Sequence, residues 1–156
     1  MSNLPFRIRP AVESDLGFII STWLRGATEA WDAAKRTDIG TWSTSGIKLG
    51  YIADLTRKFT RDAVTGILQR ETCRAVVACD VEDDDVLYGY AVAEPGERIV
   101  HWVCTKHQFK GQGVARDMLA SMMPDAARGV TCTYLPSGFV AMQSKWPVRF
   151  DPHAGK

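Results

Sequence analysis

Apolar and polar positions alternate first at Phe6-Arg7-Ile8-Arg9, the signature of a half-exposed strand ended by Pro10. Leu16, Ile19, Ile20, Trp23 and Leu24 then recur at helical spacing. This one-sided stripe predicts a helix capped by Ser14 or Asp15. From Gly26 to Gly46 periodicity fades into a polar stretch carrying Trp31 and Trp42, which predicts a long loop. Ile47 to Arg70 is helical in character, and Thr60 followed by Arg-Asp could cap a second segment within it. Three β-branched and aromatic runs come next: Arg74–Cys79, Val86–Ala93 and Arg98–Thr105. An acidic turn, Asp80–Asp85, and a tight turn, Glu94-Pro95-Gly96-Glu97, separate them, so the runs form an antiparallel meander.

Val114, Ala115, Met118, Leu119 and Met122 predict a further helix, stopped by Pro124. Val130–Tyr134 alternates as a strand reached through that helix, and such a crossover places it parallel to its partner. Gly138–Lys145 is a candidate short helix and Pro147–Phe150 a candidate edge strand, with a tail over 151–156. The expectation is an α/β fold with a mixed sheet in a single domain over residues 1–156: an antiparallel meander, a crossover helix, then a parallel strand.

Composition narrows the setting without choosing a function. Apolar residues make up 46% of the 156 and charged residues 24%, as in an ordinary soluble domain. A net charge of +1 gives no general attraction to nucleic acid or anionic membrane, so any anion site must be local. No apolar run reaches the roughly 18 residues of a membrane span, and the first ten residues lack the apolar core of a signal peptide. Cys73, Cys79, Cys104 and Cys132 form no C-x-x-C pair and read as buried, reduced thiols of a cytoplasmic protein.

The richest stretch is Val100–Met123, where strand, basic glycine turn and helix follow one another without a break. That geometry aims backbone N–H groups and a helix N-terminus at a phosphate. No Walker pattern is present, and a turn closing a meander does not open a dinucleotide-binding βαβ unit. His101, Cys104 and His107 are no metal site, because residues three apart on a strand diverge and no fourth ligand follows. The acidic Asp80–Asp85 run reads as a solvated hairpin tip.

Phe109 to Leu119, F-K-G-Q-G-V-A-R-D-M-L, resembles the acyl-coenzyme A signature of the GCN5-related N-acetyltransferases. Two registers fit the family's motif of Arg or Gln, two residues, Gly, one residue, then Gly or Ala. Gln108-x-x-Gly111-x-Gly113 matches the letters but places polar Gln112 at an aliphatic position. Lys110-x-x-Gly113-x-Ala115 substitutes lysine, yet keeps aromatic Phe109 ahead of the motif and aliphatic Val114 within it, and is preferred. The resemblance extends to R-I-R-P-A-V-E-S-D-L at the start and to Leu87–Val92, and so covers most of residues 6 to 134. Within the family it is closest to short acetyltransferase-like proteins of tailed-phage genomes, which would place the chain in a host cytoplasm.

The resemblance implies acetyl-CoA as acyl donor. Val103, Cys104 and Thr105 would meet the pantetheine arm. Lys110, Gly111, Gln112, Gly113, Val114, Ala115 and Arg116 would hold the pyrophosphate. Lys106 would add positive charge. The acceptor would be a small-molecule or protein amine, with Trp31 and Trp42 as candidate substrate contacts and no nucleic acid expected. A lysine-like amine sits roughly three pKa units above neutrality, so freeing it costs roughly 4–5 kcal/mol without help. Glu94, Glu97 and His101 are the candidate bases. The family's usual proton-donating tyrosine aligns with Gln143, in Q-S-K-W-P-V, and the family's final hairpin looks shortened. These departures leave a second expectation open: a weakly active or inactive coenzyme A-binding or protein-interaction module.

Overall fold

A computed structural model describes residues 5–36, 60–125, 128–133 and 148–150. Strand β1, Phe6–Pro10, pairs antiparallel with β2, Arg74–Asp80. β2 pairs antiparallel with β3, Leu87–Glu94, and β3 with β4, Ile99–Thr105. Helix α3, Val114–Met122, then leads to β5, Val130–Cys132, which runs parallel to β4. A last strand, β6, Val148–Phe150, lies parallel to β5. The six strands stand in sequence order in one mixed sheet, so the expected meander, crossover helix and parallel strand are all present. Gly138–Lys145 and Tyr134 lie outside the described residues.

Helix α1, Leu16–Arg36, is entered through a 3-10 turn at Glu13–Asp15. Buried Asp15 reaches back to accept the Val12 N–H (2.8 Å) and an Arg9 Nη1 bond (2.7 Å), tying the helix start to β1. Ile19 and Trp23 of the predicted stripe are fully buried. The Trp23 ring stacks on Trp102 of β4, with centroids 6.0 Å apart. Tyr90 donates its hydroxyl to the Ile19 carbonyl (3.1 Å), a second tie between sheet and helix.

The helix does not stop where the hydrophobic stripe fades. It continues through Gly26 to Arg36, so the expected Gly26–Gly46 loop is wrong over its first half, and Trp31 sits on helical backbone. Ala27, Ala30, Trp31 and Ala34 keep the helical spacing with mostly small side chains, and the high helix propensity of alanine, glutamate, lysine and arginine supports the segment. Residues 37–59, including Trp42, lie outside the described residues. Helix α2, Arg61–Leu68, starts as expected at Thr60, whose side chain accepts the Ala63 N–H (3.2 Å). It buries Val64. Among the described residues no helix is long and apolar enough to cross a membrane.

Two bulges break the regular ladder. Between β2 and β3 the pairing passes from Ala78↔Gly89 to Cys79↔Leu87, leaving Tyr88 as the extra residue. Between β3 and β4 it passes from Val92↔Trp102 to Ala93↔Val100, leaving His101 extra. A bulge re-aims a side chain that regular alternation would send elsewhere.

Gly89 lies opposite Thr105, against the backbone of β4. A Cβ there would press into the Cys104 carbonyl oxygen and sit 3.1 Å from the Thr105 Cα, both backbone atoms that cannot step aside. Gly66, within α2, has nothing within 4 Å of the corresponding position. Gly89→Ala should therefore lower unfolding stability by about 1–3 kcal/mol. Gly66→Ala should raise it by up to about 1 kcal/mol through helix propensity. Urea melts of the two variants read both signs.

Candidate functional site

β4 runs directly into the glycine turn, and the sheet itself fixes the turn's position. The Lys106 N–H donates to the Tyr88 carbonyl (2.9 Å), extending the ladder one step beyond the strand. A 3-10 turn follows at His107–Phe109, and the Phe109 ring stacks on Tyr88 with centroids 3.9 Å apart. The bulge at Tyr88 and the aromatic preceding the motif thus meet. Gly111 (φ 78°) and Gly113 (φ 82°) both take left-handed backbone. At Gly111 an added Cβ would meet nothing within 4 Å, so backbone conformation, not crowding, calls for glycine there.

Gly113 is the residue before α3, and its carbonyl accepts the Asp117 N–H (2.9 Å). Helix geometry leaves the N–H groups of Val114, Ala115 and Arg116 without intrahelical acceptors, at the positive end of the helix dipole. Buried Val114, Met118 and Leu119 hold that end against the sheet. Lys110 and Arg116 are exposed beside it, Arg116 in contact with Asp117 (3.2 Å). Lys106 is placed differently: its ammonium lies 5.2 Å from the Phe18 ring centroid on α1, a cation–π contact. The turn therefore gathers Lys110 to Arg116 at one helix start, while Lys106 is directed toward α1. Open space at Gly111 and the undirected N–H groups of α3 fit a pyrophosphate.

A second cluster lies at the other bulge. Glu94 and His101 are both buried, and the imidazole Nε2 is 2.6 Å from Glu94 Oε2. Glu94 also accepts from the Thr72 hydroxyl at Oε1 and from Arg70 Nη1 at Oε2 (3.2 Å). On the far side of the ring, His101 Nδ1 is 3.2 Å from Thr133 Oγ1, just past β5. Burial pushes the Glu94 carboxyl up, but hydrogen bonds from Thr72 and His101, with the charges of His101 and Arg70, outweigh it. The net result is a carboxyl held below its ordinary range. Two of the three candidate bases thus come together, whereas Glu97 is exposed in the 3-10 turn at Pro95–Glu97.

Sequence reasoning missed Thr72, Arg70 and Thr133. They come from segments far apart along the chain, and only the bulge brings His101 to Glu94 and Thr133 together. Among the cysteines, burial pushes the thiol of Cys73 up to about 11 and that of Cys132 up to about 12, which disfavours a thiolate at either. Among the described residues no group of three or more His, Cys, Asp or Glu is placed to hold a metal ion. His101, Cys104 and His107 do not converge on one.

No family model and no curated protein matches the sequence. Solved structures match by fold. A GCN5-related N-acetyltransferase from Kribbella flavida is 14% identical, with a TM-score of 0.45, over 76% of this chain and 62% of that one. The PaiA N-acetyltransferase of Thermoplasma acidophilum, solved with coenzyme A, is 16% identical, with a TM-score of 0.45, over 74% of this chain and 68% of that one. An aminoglycoside acetyltransferase from an uncultured soil metagenome, solved with sisomicin, is 12% identical, with a TM-score of 0.42, over 94% and 77%. The chain spans less than two thirds of the length of three of the matched structures. These are distant likenesses of fold, and the reading of the site rests on its own geometry.

The lowered Glu94 pKa has a defined pH signature. Because the folded value lies below the unfolded one, the stability it contributes is fully present above the ordinary carboxyl range. It is lost as the pH falls through the lowered value. Glu94→Gln should cost about 1–3 kcal/mol at neutral pH, since Arg70 and His101 lose a charged acceptor. It should also flatten the decline in melting temperature between about pH 5 and pH 3. Thermal melts across that range check both.

Proposed function

We propose that the protein is an N-acetyltransferase that takes an acetyl group from acetyl-CoA and passes it to an amine acceptor. The observation that supports this most is the pair of left-handed glycines, Gly111 and Gly113, which deliver the end of β4 to the N-terminus of α3. The backbone N–H groups of Lys110 to Arg116 would hold the pyrophosphate, and Val103, Cys104 and Thr105 would run beside the pantetheine arm. Bound there, acetyl-CoA would supply a thioester carbonyl open to direct attack by an amine. The chain's own part is to bind the donor, to orient it along β4 and to accept the proton that the amine must shed. The acceptor is read as a small-molecule or protein amine, with Trp31 and Trp42 as candidate contacts.

Titration calorimetry with acetyl-CoA tests the reading. The wild type should bind, and Gly113→Glu should weaken binding at least a hundredfold, because it strains left-handed backbone and sets a carboxylate where the pyrophosphate belongs. Absence of binding heat in the wild type would sink the proposal. Binding without thiol release across a panel of primary amines would favour a coenzyme A-binding module without turnover, the outcome that Gln143 at the tyrosine position makes worth measuring.

A further inference from the structure

The buried cluster at the β4 bulge has the connectivity of a proton relay, in the order hydroxyl, imidazole, carboxylate. Thr133 Oγ1 lies 3.2 Å from His101 Nδ1, and His101 Nε2 lies 2.6 Å from Glu94 Oε2. An ionised carboxylate only accepts, so His101 Nε2 must carry the proton that faces Glu94. The neutral ring then presents Nδ1 as an acceptor, and the Thr133 hydroxyl is the group beside it. The same hydroxyl can instead turn to the Val100 carbonyl, 3.5 Å away. Both protonation states of the imidazole thus leave its two ring nitrogens partnered, one with Thr133 donating to Nδ1 and the other with Nδ1–H donating to Thr133.

The groups around the pair favour this direction of transfer. Thr72 and Arg70, from the turn between α2 and β2, both donate to Glu94 and keep it an anion. Glu94 is consequently a poor terminal base and a good counter-ion for an imidazolium. Cys73 also lies near the carboxylate, and burial and the charge of Glu94 both keep it a neutral thiol. Just past β5, the Thr133 hydroxyl reaches the ring.

The position of the relay along β4 matters as much as its chemistry. The described pairing of β4 with β5 involves Ile99 and Val100, and the Thr133 N–H closes it on the Val100 carbonyl (3.0 Å). Four residues of strand, about 13 Å, separate His101 from Thr105 at the glycine turn. A donor with its pyrophosphate on that turn and its arm along Thr105, Cys104 and Val103 points its thioester end toward His101 and Thr133.

Resting on the acetyltransferase reading, we infer that Thr133, His101 and Glu94 form the relay that deprotonates the acceptor amine, with the Thr133 hydroxyl as its entry point. An N–H bond of the acceptor ammonium breaks and its electron pair stays on nitrogen. The proton goes to Thr133 Oγ1 while the hydroxyl's own proton passes to His101 Nδ1. Charge balances: an ammonium beside a neutral imidazole and a carboxylate becomes a neutral amine beside an imidazolium–carboxylate pair. Bulk water takes the proton after turnover. Arg70 and Thr72 are positioning residues that act through Glu94.

Two measurements test the relay. Imidazole ¹⁵N NMR of the unliganded full chain needs no acceptor, and neutral His101 should carry its proton at Nε2 alone. A ring that holds a proton at Nδ1 at neutral pH, whether neutral or imidazolium, would overturn the relay. The second measurement is acetyl-CoA thiol release with a panel of primary amines, using Thr133→Val, which keeps the side-chain shape, and Thr133→Ser, which restores the hydroxyl. Thr133→Val should lose at least a hundredfold in rate at neutral pH, as removal of a general base does. Its pH profile should shift toward the pKa of the free amine, with acetyl-CoA affinity close to wild type. Thr133→Ser should recover the rate to within about tenfold of wild type. Unchanged rate and pH profile in Thr133→Val would overturn the relay while leaving the acetyltransferase reading intact. An acetyl mass increment on Thr133 would also overturn it, in favour of a covalent route. Loss of acetyl-CoA binding in the wild type would instead remove the reading on which the relay rests.

Discussion

A carboxylate buried at the end of a strand has to be surrounded by donors, and Glu94 draws its donors from two separate parts of the chain. Thr72 and Arg70 arrive from the turn before β2, and His101 arrives from β4. Through His101 the set reaches Thr133 at the end of β5. Leaving such a charge unpartnered would cost several kcal/mol. The α2–β2 turn, the β3–β4 hairpin and the start of the parallel pair are therefore bound to one arrangement. The His101 bulge is the local departure that makes it possible, because it frees the ring to meet both Glu94 and Thr133.

The second bulge performs the matching task at the other end of the hairpin. Tyr88, the extra residue there, offers its carbonyl to Lys106 and its ring to Phe109. The glycine turn is thus seated on the sheet rather than suspended from it. One hairpin joins both features: the glycine turn and helix start beyond the end of β4, and a titratable cluster near its beginning. The residues between them, Trp102 to Thr105, form the straight path along which the proposed donor would lie.

How much of this could be read from the sequence depended on how local the signal was. The meander was legible because each strand carries its own β-branched run and each turn its own glycine, proline or acidic residues. The α2 start was legible because Thr60 caps it within three residues, and the α3 start because Gly113 precedes an apolar stripe. The continuation of α1 to Arg36 was missed because alanines at 27, 30 and 34 make the apolar stripe faint. The glycine turn and helix start over Lys110 to Arg116 were legible for the same local reason. The partners of Glu94 and His101 were not, since Arg70, Thr72 and Thr133 are brought in by register and by a bulge, neither of which leaves a mark in spacing. Lys106 looked like a phosphate ligand by position alone, and only the placement of Phe18 on α1 shows where its charge is directed.

The stack of Trp23 on Trp102 carries a consequence of a different kind. With centroids 6.0 Å apart and planes within 18° of parallel, the two indoles are close enough for their electronic transitions to couple. A Cβ at Gly26 would fall 2.7 Å from the Trp102 ring, so the helix has no slack on that side. One of these rings belongs to the helix and the other to the strand that would carry the acyl donor. The pair is therefore an intrinsic optical gauge of how α1 sits against β4, readable by near-ultraviolet circular dichroism without any attached label.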